Sequence, residues 1–343
     1  MTANRKSIKN FSGCLIGGAV GDALGAPVEF MSLSEIIDKF GPDGITDYVK
    51  AYGKKGAITD DTQMTLFTAE GLILSRVRNM SDPDQILISV YHAYLRWLST
   101  QREIDQNQLL HQYGTCNIID GVLISYKDLH SRRAPGNSCL SALLSNKMGT
   151  TKTPINNSKG CGGIMRIAPV GLFLNKDNVF DVACEIAAIT HGHPTGYLAA
   201  GCLAQMICYI ISGDELTDAI QKTIDILKTK NHNEECLEAI LSALKAWKEK
   251  TVSFETVESL GQGWVAEESL AIGIYCSLVA GNDFEKGICF AVNHGGDSDS
   301  TGSITGNILG ALLGVDSIPS KYTSDLELID AIQEISDDLF EKS

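Results

Sequence analysis

The chain has 343 residues, of which 44% are hydrophobic and only 8 are proline, so it can bury a large core without linkers or low-complexity tracts. Its net charge of -14 at pH 7 argues against an extended contact with a nucleic-acid backbone, which needs clustered Lys and Arg. The composition predicts one domain over residues 1–343.

The cysteines and the apolar segments indicate a cytoplasmic protein. Ten cysteines are scattered without a C-x-x-C pair, mostly in apolar runs where Cys behaves as a small hydrophobe, which favours a reducing compartment. Near the N-terminus Asp22 and several glycines interrupt the apolar run, which argues against a signal peptide. The longest apolar segment, 197–212, is short for a bilayer and contains Gln205, so it predicts a buried helix and no membrane contact.

Two sets of glycines recur at four-residue spacing, and each glycine inside a helix costs about 1 kcal/mol relative to Ala. Such a cost is reasonable only where the bare helix face lets another backbone approach closely. We therefore expect two helices in a crowded core, packed against each other. The two sets are Gly13, Gly17, Gly21 and Gly25, and Gly302, Gly306, Gly310 and Gly314.

The chain leaves the first glycine-rich helix at Pro27, which fixes the exit, and Glu29 follows in a turn. The next residues, up to Gly56, are rich in Gly and Asp and predict a mobile loop. Glu29 is then either a carboxylate that the loop brings to a site or a surface charge.

Two acidic clusters flanked by hydroxyls stand at predicted helix starts. Thr59, Asp60 and Asp61 precede an amphipathic helix that extends to about Val77. Asp297 and Asp299 precede an apolar helix, with Asp299 or Ser300 as its N-cap, and in an extended turn both carboxylates can face one cation. Taken singly the clusters are ordinary helix caps, but together they favour a metal site.

The segment 158–169 contains three glycines within four residues, Gly160, Gly162 and Gly163, interrupted by Cys161. Such a loop exposes backbone amides and can hold a phosphate, with Lys159 or Arg166 nearby, although Arg166 could equally form a structural ion pair. A turn before it leads into a helix that should begin near Ser138, and Asn137 and Ser138 are further candidate substrate contacts.

Two other connections carry candidate ligand contacts. His191 and His193 lie between two predicted helices, where hydrogen bonding is commoner than metal ligation, and His191 is the candidate contact. Trp264 lies between glycines and a helix start, so it is either a surface on which a base stacks or a large core residue. Because helix periodicity recurs from end to end without strand-like alternation, the fold class predicted is all-α.

Five motifs together resemble the series found in the ADP-ribosylglycohydrolase family, in the same order and over nearly the whole chain. That resemblance implies a compact, orthogonal multi-helix bundle with a central site of two Mg²⁺ or Mn²⁺ ions and an enzyme that removes ADP-ribose from modified side chains. The motifs cover residues 21–30, 59–62, 160–166, 190–191 and 295–300.

The resemblance also assigns roles to residues. Glu29 would be a carboxylate on a mobile loop near the ions, and the glycines of 160–163 would contact the diphosphate. Two departures from the family pattern are Ser300, where Thr is common, and Cys161, where Asn is common; the second leaves the side-chain contacts of the phosphate loop open. The implied metal ligands are Thr59, Asp60, Asp61, Asp297, Asp299 and Ser300.

The chemistry of the residues agrees with this interpretation. All the proposed ligands present oxygen, which selects Mg²⁺ or Mn²⁺ over zinc. Two such ions can hold ribose hydroxyls and polarise a water for attack on the anomeric carbon, with Glu29, Asp60 or Asp61 as the base.

We therefore expect hydrolysis of the N- or O-glycosidic bond between ADP-ribose and an acceptor, by default arginine on a protein, with serine or a small ADP-ribosyl conjugate as alternatives. A non-catalytic ADP-ribose reader or structural protein, and a phosphoesterase that cuts the diphosphate, are the competing classes.

Overall fold

Seventeen α-helices occur in residues 5–113 and 120–343, which the computed structural model describes. Within these ranges there is no β-strand, only two isolated bridges, Ala51–Lys54 and Gly160–Val265, so the all-α prediction is confirmed. The helices are α1 Ile8–Gly25, α2 Leu33–Phe40, α3 Asp60–Val77, α4 Pro83–Thr100, α5 Gln106–Tyr113, α6 Asn137–Leu144, α7 Ala168–Phe173, α8 Val179–Ala188, α9 Pro194–Ile211, α10 Leu216–Leu227, α11 Glu234–Lys248, α12 Phe254–Glu258, α13 Ala266–Ala280, α14 Phe284–Val292, α15 Ser298–Leu313, α16 Ser320–Thr323 and α17 Ile329–Lys342.

The two glycine-rich helices α1 and α15 pack antiparallel, backbone against backbone. A Cβ atom added to Gly21 would lie 2.0 Å from the carbonyl oxygen of Gly302, and one added to Gly17 would lie 2.4 Å from that of Gly306. Real Cβ atoms do not come so close to a carbonyl oxygen. The expected mutual packing of the two glycine sets is therefore confirmed, and it brings the end of α1 beside the start of α15.

Helix α9 lies inside the fold and packs against α7, α8, α10 and α13. In the described part of the chain it is the one helix long and apolar enough to cross a membrane, and 83% of that stretch is buried by the surrounding protein. The expectation that this segment is a buried helix is confirmed.

The segment between Gly25 and Gly56 differs from the loop that was expected, because it contains α2. Ser32 and Glu35 form a capping box in which each side chain accepts a hydrogen bond from the other residue's backbone amide. Ile36 packs into the core. This local signal for a helix start was masked by the glycines and aspartates on either side of it.

Helix α3 ends at Val77 as predicted but begins earlier: Thr59 is its N-cap, and Asp60 and Asp61, expected before the helix, lie in its first turn. Helix α15 begins earlier than predicted: Asp297 is its N-cap, and Asp299 and Ser300 already lie in its first turn, so the expected cap at Asp299 or Ser300 is wrong. Because Asp299 is helical, its carboxylate is held by the helix backbone.

Nine of the ten cysteines lie in the described residues, and all nine are free thiols. Cys116 lies outside the described residues.

Replacing Gly21 with Ala should destabilise the protein, because the new Cβ would collide with the backbone of α15. Overpacking costs up to about 3 kcal/mol, against a gain in helix propensity of about 1 kcal/mol. We expect the melting temperature to fall by roughly 3 °C, measured by circular dichroism.

Gly136→Ala is the matched control, since no atom lies within 4 Å of its added Cβ and its φ of -60° suits any residue. Equal melting temperatures for the two variants would contradict backbone packing as the reason for the glycines.

Candidate functional site

A cavity of about 210 Å³ opens where the end of α1 meets the starts of α3 and α15. Its position follows from the glycine packing, which sets the head of α15 beside the exit of α1. The residues that line it are Glu29, Asp60, Asp61, Ala134, Gly136, Asn137, Ser138, Cys139, Gly160, Cys161, Gly162, Met165, His191, Trp264, Asp297, Asp299 and Ser300.

Three carboxylates converge on one side of this cavity. Oxygen atoms of Glu29, Asp297 and Asp299 all lie within 4.8 Å of one another, and all three residues are buried. Glu29 is only 6% exposed, which excludes the alternative that it is a surface charge.

The head of α3 supplies two more carboxylates. The backbone amide of Gly136 donates to Oδ2 of Asp60 at 3.3 Å, and the amide of Asp60 donates to the carbonyl of Arg133. Thr59 is fully buried; its hydroxyl accepts from the amide of Asp61 and bonds to the carboxylate of Asp299. Thr59 therefore connects the acidic turns of α3 and α15.

Asp22 is a functional position that sequence reasoning missed. It is fully buried in α1, where its carboxylate accepts hydrogen bonds from the backbone amides of Thr59, at 3.0 and 3.1 Å, and Thr62, at 3.1 Å. It thus orients the acidic turn at the head of α3. A carboxylate in the middle of a glycine-lined apolar helix was the signal that could have revealed it.

Burial raises the pKa of every carboxyl group in the cluster, and repulsion from neighbouring carboxylates adds to the rise for all of them except Asp299. Burial, followed by the charges of Asp299 and Asp297, raises the pKa of Glu29 to about 10. Burial and the charge of Asp299 raise the pKa of Asp22 to about 7. The pKa values of Asp60 and Asp61 are also raised, chiefly by burial. Burial therefore opposes the ionised form of these groups, and a nearby cation would favour it.

The cluster fits a bound metal ion. Oε2 of Glu29 and Oδ2 of Asp61 are buried without any hydrogen-bond partner among the described residues, although buried polar atoms normally have one. The donors are predominantly carboxylate and hydroxyl oxygens, which suit hard divalent cations. A buried acidic cluster that could hold a metal is therefore present.

The glycine-rich loop lines the cavity beside the acidic cluster, since Sγ of Cys161 lies 2.7 Å from Oδ2 of Asp297. Cys161–Gly163 is a short 3₁₀ turn, which leaves the amides of Gly162 and Gly163 without a partner inside the turn. A Cβ added to Gly162 would lie 2.8 Å from Cε1 of His191, so glycine is needed for the imidazole to lie against the loop.

His191 faces the cavity, and a buried chain of hydrogen bonds holds it in place. Arg166 donates to Oγ1 of Thr190 at 2.6 Å, and Oγ1 lies 2.8 Å from Nδ1 of His191. Oγ1 carries one proton and two lone pairs, and when that proton goes to Nδ1 the ring carries its own N–H at Nε2. Burial and the charge of Arg166 lower the pKa of His191 to about 3, so the ring is neutral.

Two basic residues proposed for the phosphate loop are engaged elsewhere. Arg166 is fully buried, with its guanidinium over the ring of Tyr94, and does not line the cavity. Lys159 forms salt bridges with Glu235, at 2.8 Å, and Glu267, which tie the loop to α11 and α13. Neither side chain is among the described residues that line the cavity.

The rim carries an aromatic pair and a hydroxyl pair. Trp264, 38% exposed, stacks on Phe30 with ring centroids 5.7 Å apart and an interplanar angle of 21°. Trp264 is thus exposed at the cavity mouth, and Phe30 is a partner that the sequence did not indicate. On the other side, Asn137 begins α6 and Ser138 donates from Oγ to Oγ of Ser158 at 2.8 Å.

Comparison with known proteins agrees with the site. The family model for ADP-ribosylglycohydrolase matches residues 2–343. This chain belongs to the ADP-ribosylglycohydrolase family. It is an enzyme of the class that hydrolyses glycosidic bonds of ADP-ribose, as the motif series implied.

Relatives in this ADP-ribosylglycohydrolase family match along nearly their whole length. An ADP-ribosyl-[dinitrogen reductase] glycohydrolase of Rhodospirillum rubrum is 26% identical, over 92% of this chain and 90% of its own. The ADP-ribosylarginine hydrolase Tri1 of Serratia proteamaculans is 24% identical, over 98% of this chain and 80% of its own. A solved structure titled ADP-ribosylglycohydrolase-related protein complex shares the fold, with a TM-score of 0.64 at 23% identity and 99% of both chains covered.

The structure brings most of the predicted site residues to one cavity of this ADP-ribosylglycohydrolase. Thr59, Lys159, Gly163 and Arg166 do not line it, although Thr59 bonds to the acidic cluster and Arg166 acts through Thr190 on His191. The sequence analysis did not assign Asp22 and Phe30, nor the lining residues Ala134, Gly136, Cys139 and Met165.

Proposed function

We propose that this enzyme uses two divalent cations, Mg²⁺ or Mn²⁺, to hydrolyse the glycosidic bond between ADP-ribose and an arginine side chain of a modified protein. One observation carries the proposal. The cavity is lined by carboxylates and, among the described residues, by no Lys or Arg. An anionic diphosphate can approach such a surface only if bound cations offset the charge.

The residues that would hold the ions are those of the two acidic turns: Thr59, Asp60, Asp61, Asp297, Asp299 and Ser300. When bound, the metal supplies electrostatic stabilisation of the diphosphate and ribose hydroxyls and lowers the pKa of a water molecule at the anomeric carbon. The unpartnered oxygen of Asp61 supports this assignment.

The glycine-rich loop and His191, which line the same cavity, would hold the diphosphate. A neutral imidazole with its N–H at Nε2 donates a hydrogen bond to a phosphate oxygen without titrating near neutral pH. The amide of Gly162 would supply a further donor, while Arg166 and Thr190 hold the ring in place from behind.

Glu29 would take the proton of the attacking water. Its Oε2 has no partner, whereas Oδ2 of Asp60 accepts from the amide of Gly136. Water attacks the anomeric carbon, the bond from that carbon to the acceptor nitrogen breaks, and the acceptor leaves after gaining a proton. Because Glu29 lies in the turn after α1, outside any helix, its position can adjust between substrate binding and release.

Arginine is the acceptor that we favour, for two reasons. A relative that matches along 98% of this chain is named an ADP-ribosylarginine hydrolase. A guanidinium group is also cationic, and the protein's net charge of -14, with acidic groups at the cavity, attracts it. A small ADP-ribosyl conjugate of arginine would fit the same argument.

We further propose that residues 1–343 work as one domain in the cytoplasm. A continuous hydrophobic core that draws on α1, α4, α9 and α17 supports the first statement. Nine free thiols in the described residues support a reducing compartment.

The deciding experiment supplies the enzyme with two peptides, one ADP-ribosylated on arginine and one on serine. With Mg²⁺ we expect ADP-ribose to be released from the arginine peptide. With EDTA we expect no release, because a site made of carboxylates and hydroxyls contains no electrophile other than the metal ion. Products are separated by chromatography and identified by mass.

Asp297→Asn serves as the control and should abolish release while its circular dichroism matches the parent protein. AMP among the products would instead indicate a phosphoesterase, and ADP-ribose binding without any turnover would indicate a reader. Full activity in EDTA would contradict the metal requirement.

Glu29→Gln should lower the turnover rate by roughly a hundredfold and leave ADP-ribose affinity within a few-fold, because it removes the base but not the binding groups. Steady-state rates and calorimetry with ADP-ribose measure the two quantities. Glu35→Gln is the matched control, since Gln keeps the capping box of α2. A near-normal rate for Glu29→Gln would leave the proton transfer to Asp60 or Asp61.

Adenine would stack on Trp264 at the cavity mouth. The cavity of about 210 Å³ is smaller than typical pockets for drug-sized ligands, so part of ADP-ribose must extend to the rim. Stacking is worth about 1 to 3 kcal/mol per base, so Trp264→Ala should weaken ADP-ribose binding roughly tenfold in calorimetry.

Phe30→Ala, which removes only the neighbouring ring, should keep the affinity within a few-fold. If Trp264→Ala binds ADP-ribose as well as the parent protein does, the base does not stack on this side chain.

A further inference from the structure

A buried charge cluster lies beside the residues that lead into the acidic turn of α3. It consists of Arg133, Glu327 and Lys54, and none of the three is among the described residues that line the cavity. Glu327 accepts hydrogen bonds from both terminal nitrogens of Arg133, at 3.1 and 3.2 Å, and from Nζ of Lys54 at 2.6 Å. The side chains of Arg133 and Glu327 are only 7% and 2% exposed, so this ion pair is shielded from water.

This cluster fixes the backbone just before the acidic turn. The amide of Ile58 donates to Oε2 of Glu327 at 3.1 Å, and the carbonyl of Ile58 accepts from Arg133 at 3.0 Å. The amide of Glu327 donates to the carbonyl of Gly56 at 2.9 Å. A Cβ added to Gly56 would lie 2.1 Å from the carbonyl oxygen of Asp325. The chain that leads into α3 is therefore held closely against the segment that precedes α17.

Three consecutive backbone amides at the turn have partners that are remote in the sequence. The amide of Ile58 donates to Glu327, and that of the next residue donates to Asp22 of α1. The amide of Asp60 donates to the carbonyl of Arg133 at 3.2 Å. Because each peptide group is bonded to a separate part of the fold, the direction in which the carboxylates of the turn leave the backbone is fixed.

Strained backbone conformations lie beside the same cluster. Ala134, next to Arg133, and Leu328, next to Glu327, have φ angles of 53° and 59°, in the left-handed region that favours glycine. Tyr52, whose ring centroid lies 5.0 Å from Cζ of Arg133, has a φ of 50°. Such conformations are costly, persist only where the surrounding structure enforces them, and concentrate at functional sites. Their position agrees with a functional reason for the cluster.

We propose that Glu327 is a positioning residue for hydrolysis, which acts through Arg133 and the amide of Ile58. It sets the position of the acidic turn at 59–61 relative to the lining residues that follow Arg133 in the chain. This inference rests on the proposed function, in which that turn holds a cation. The alternative is an ion pair that only stabilises the fold.

A second buried ion pair, on α3 and α4, provides a matched control. Arg96 donates to Glu70 from Nε at 2.9 Å and from a terminal nitrogen at 2.6 Å, and Glu70 also accepts the amide of Leu123. The side chains of Arg96 and Glu70 are 0% and 3% exposed. Glu70 thus pairs with a buried arginine and holds a backbone amide, as Glu327 does. It lies roughly three helical turns beyond Asp60 and is not among the described residues that line the cavity.

The test compares Glu327→Gln with Glu70→Gln in melting temperature, turnover of the ADP-ribosylated arginine peptide, and Mg²⁺ affinity measured by calorimetry without substrate. Each variant leaves a buried arginine unpaired, so we expect both melting temperatures to fall. Glu327→Gln should also lower turnover by roughly tenfold to hundredfold and weaken Mg²⁺ binding by about tenfold, because the groups of the turn are misplaced. Glu70→Gln should keep turnover and Mg²⁺ affinity within a few-fold.

Hydrogen exchange followed by mass spectrometry measures the positioning without any need for activity. A peptide that covers residues 57–62 should exchange faster in Glu327→Gln than in the parent protein, because the amide of Ile58 then has a weaker acceptor. The same peptide should exchange at the parent rate in Glu70→Gln. If Glu327→Gln does not fold, Arg133→Lys is the second variant, since Lys keeps the charge but not the planar fork that holds Glu327 and Ile58 together. It should shift all three quantities in the same direction.

Unchanged turnover, Mg²⁺ affinity and exchange in Glu327→Gln, or losses that Glu70→Gln shares, would overturn the inference. The outcome is separable from that of the proposed function. Faster exchange and weaker Mg²⁺ binding in Glu327→Gln alone would support the inference even if the arginine peptide were not hydrolysed. Mg²⁺-dependent hydrolysis by the parent protein, with Glu327→Gln behaving like Glu70→Gln, would support the proposed function and defeat the inference.

Discussion

The close contact between the backbones of α1 and α15 is the constraint on which the rest of the structure depends. Glycines on both helices allow carbonyl oxygens to lie where a Cβ would otherwise be, so the helix axes approach more closely than side chains permit. The antiparallel arrangement aligns the exit of α1 with the head of α15. As a result, Glu29 reaches Asp297 and Asp299 although the chain between them is almost the whole protein.

The acidic cluster is electrostatically unfavourable by itself, and the fold offsets only part of this cost. The starts of α3 and α15 direct the positive ends of their dipoles at the carboxylates, and each such contact is worth up to about 2 kcal/mol when partly buried. The pKa of Glu29, raised to about 10, and that of Asp22, raised to about 7, agree with dipoles that offset the cost of burial and repulsion only in part. A bound cation would offset the repulsion that remains among these acidic groups.

Local signals in the sequence predicted a large part of the site. The acidic turn at Thr59 and the glycine spacing indicated helix starts and a close helix contact, and the structure has both. Asp22 could not be placed because its partners lie on another helix, and its role depends on the packing of α1 against the head of α3. Phe30 was missed for a similar reason, since its stacking on Trp264 is a long-range contact. The predicted start of α15 was too late in the sequence, because the glycine pair before Asp297 suggested an irregular turn there.

The short segment from Gln262 to Trp264 joins the two halves of the cavity through its backbone. The carbonyl of Gln262 accepts the amide of Asp297, and the carbonyl of Trp264 accepts the amide of Cys161, so a few covalent bonds separate the acidic head of α15 from the glycine-rich loop. If a cation binds at one half and a diphosphate at the other, this shared segment is a direct structural connection through which the two occupancies would be linked. By reciprocity, the factor by which a diphosphate strengthens cation binding equals the factor by which the cation strengthens binding of the diphosphate.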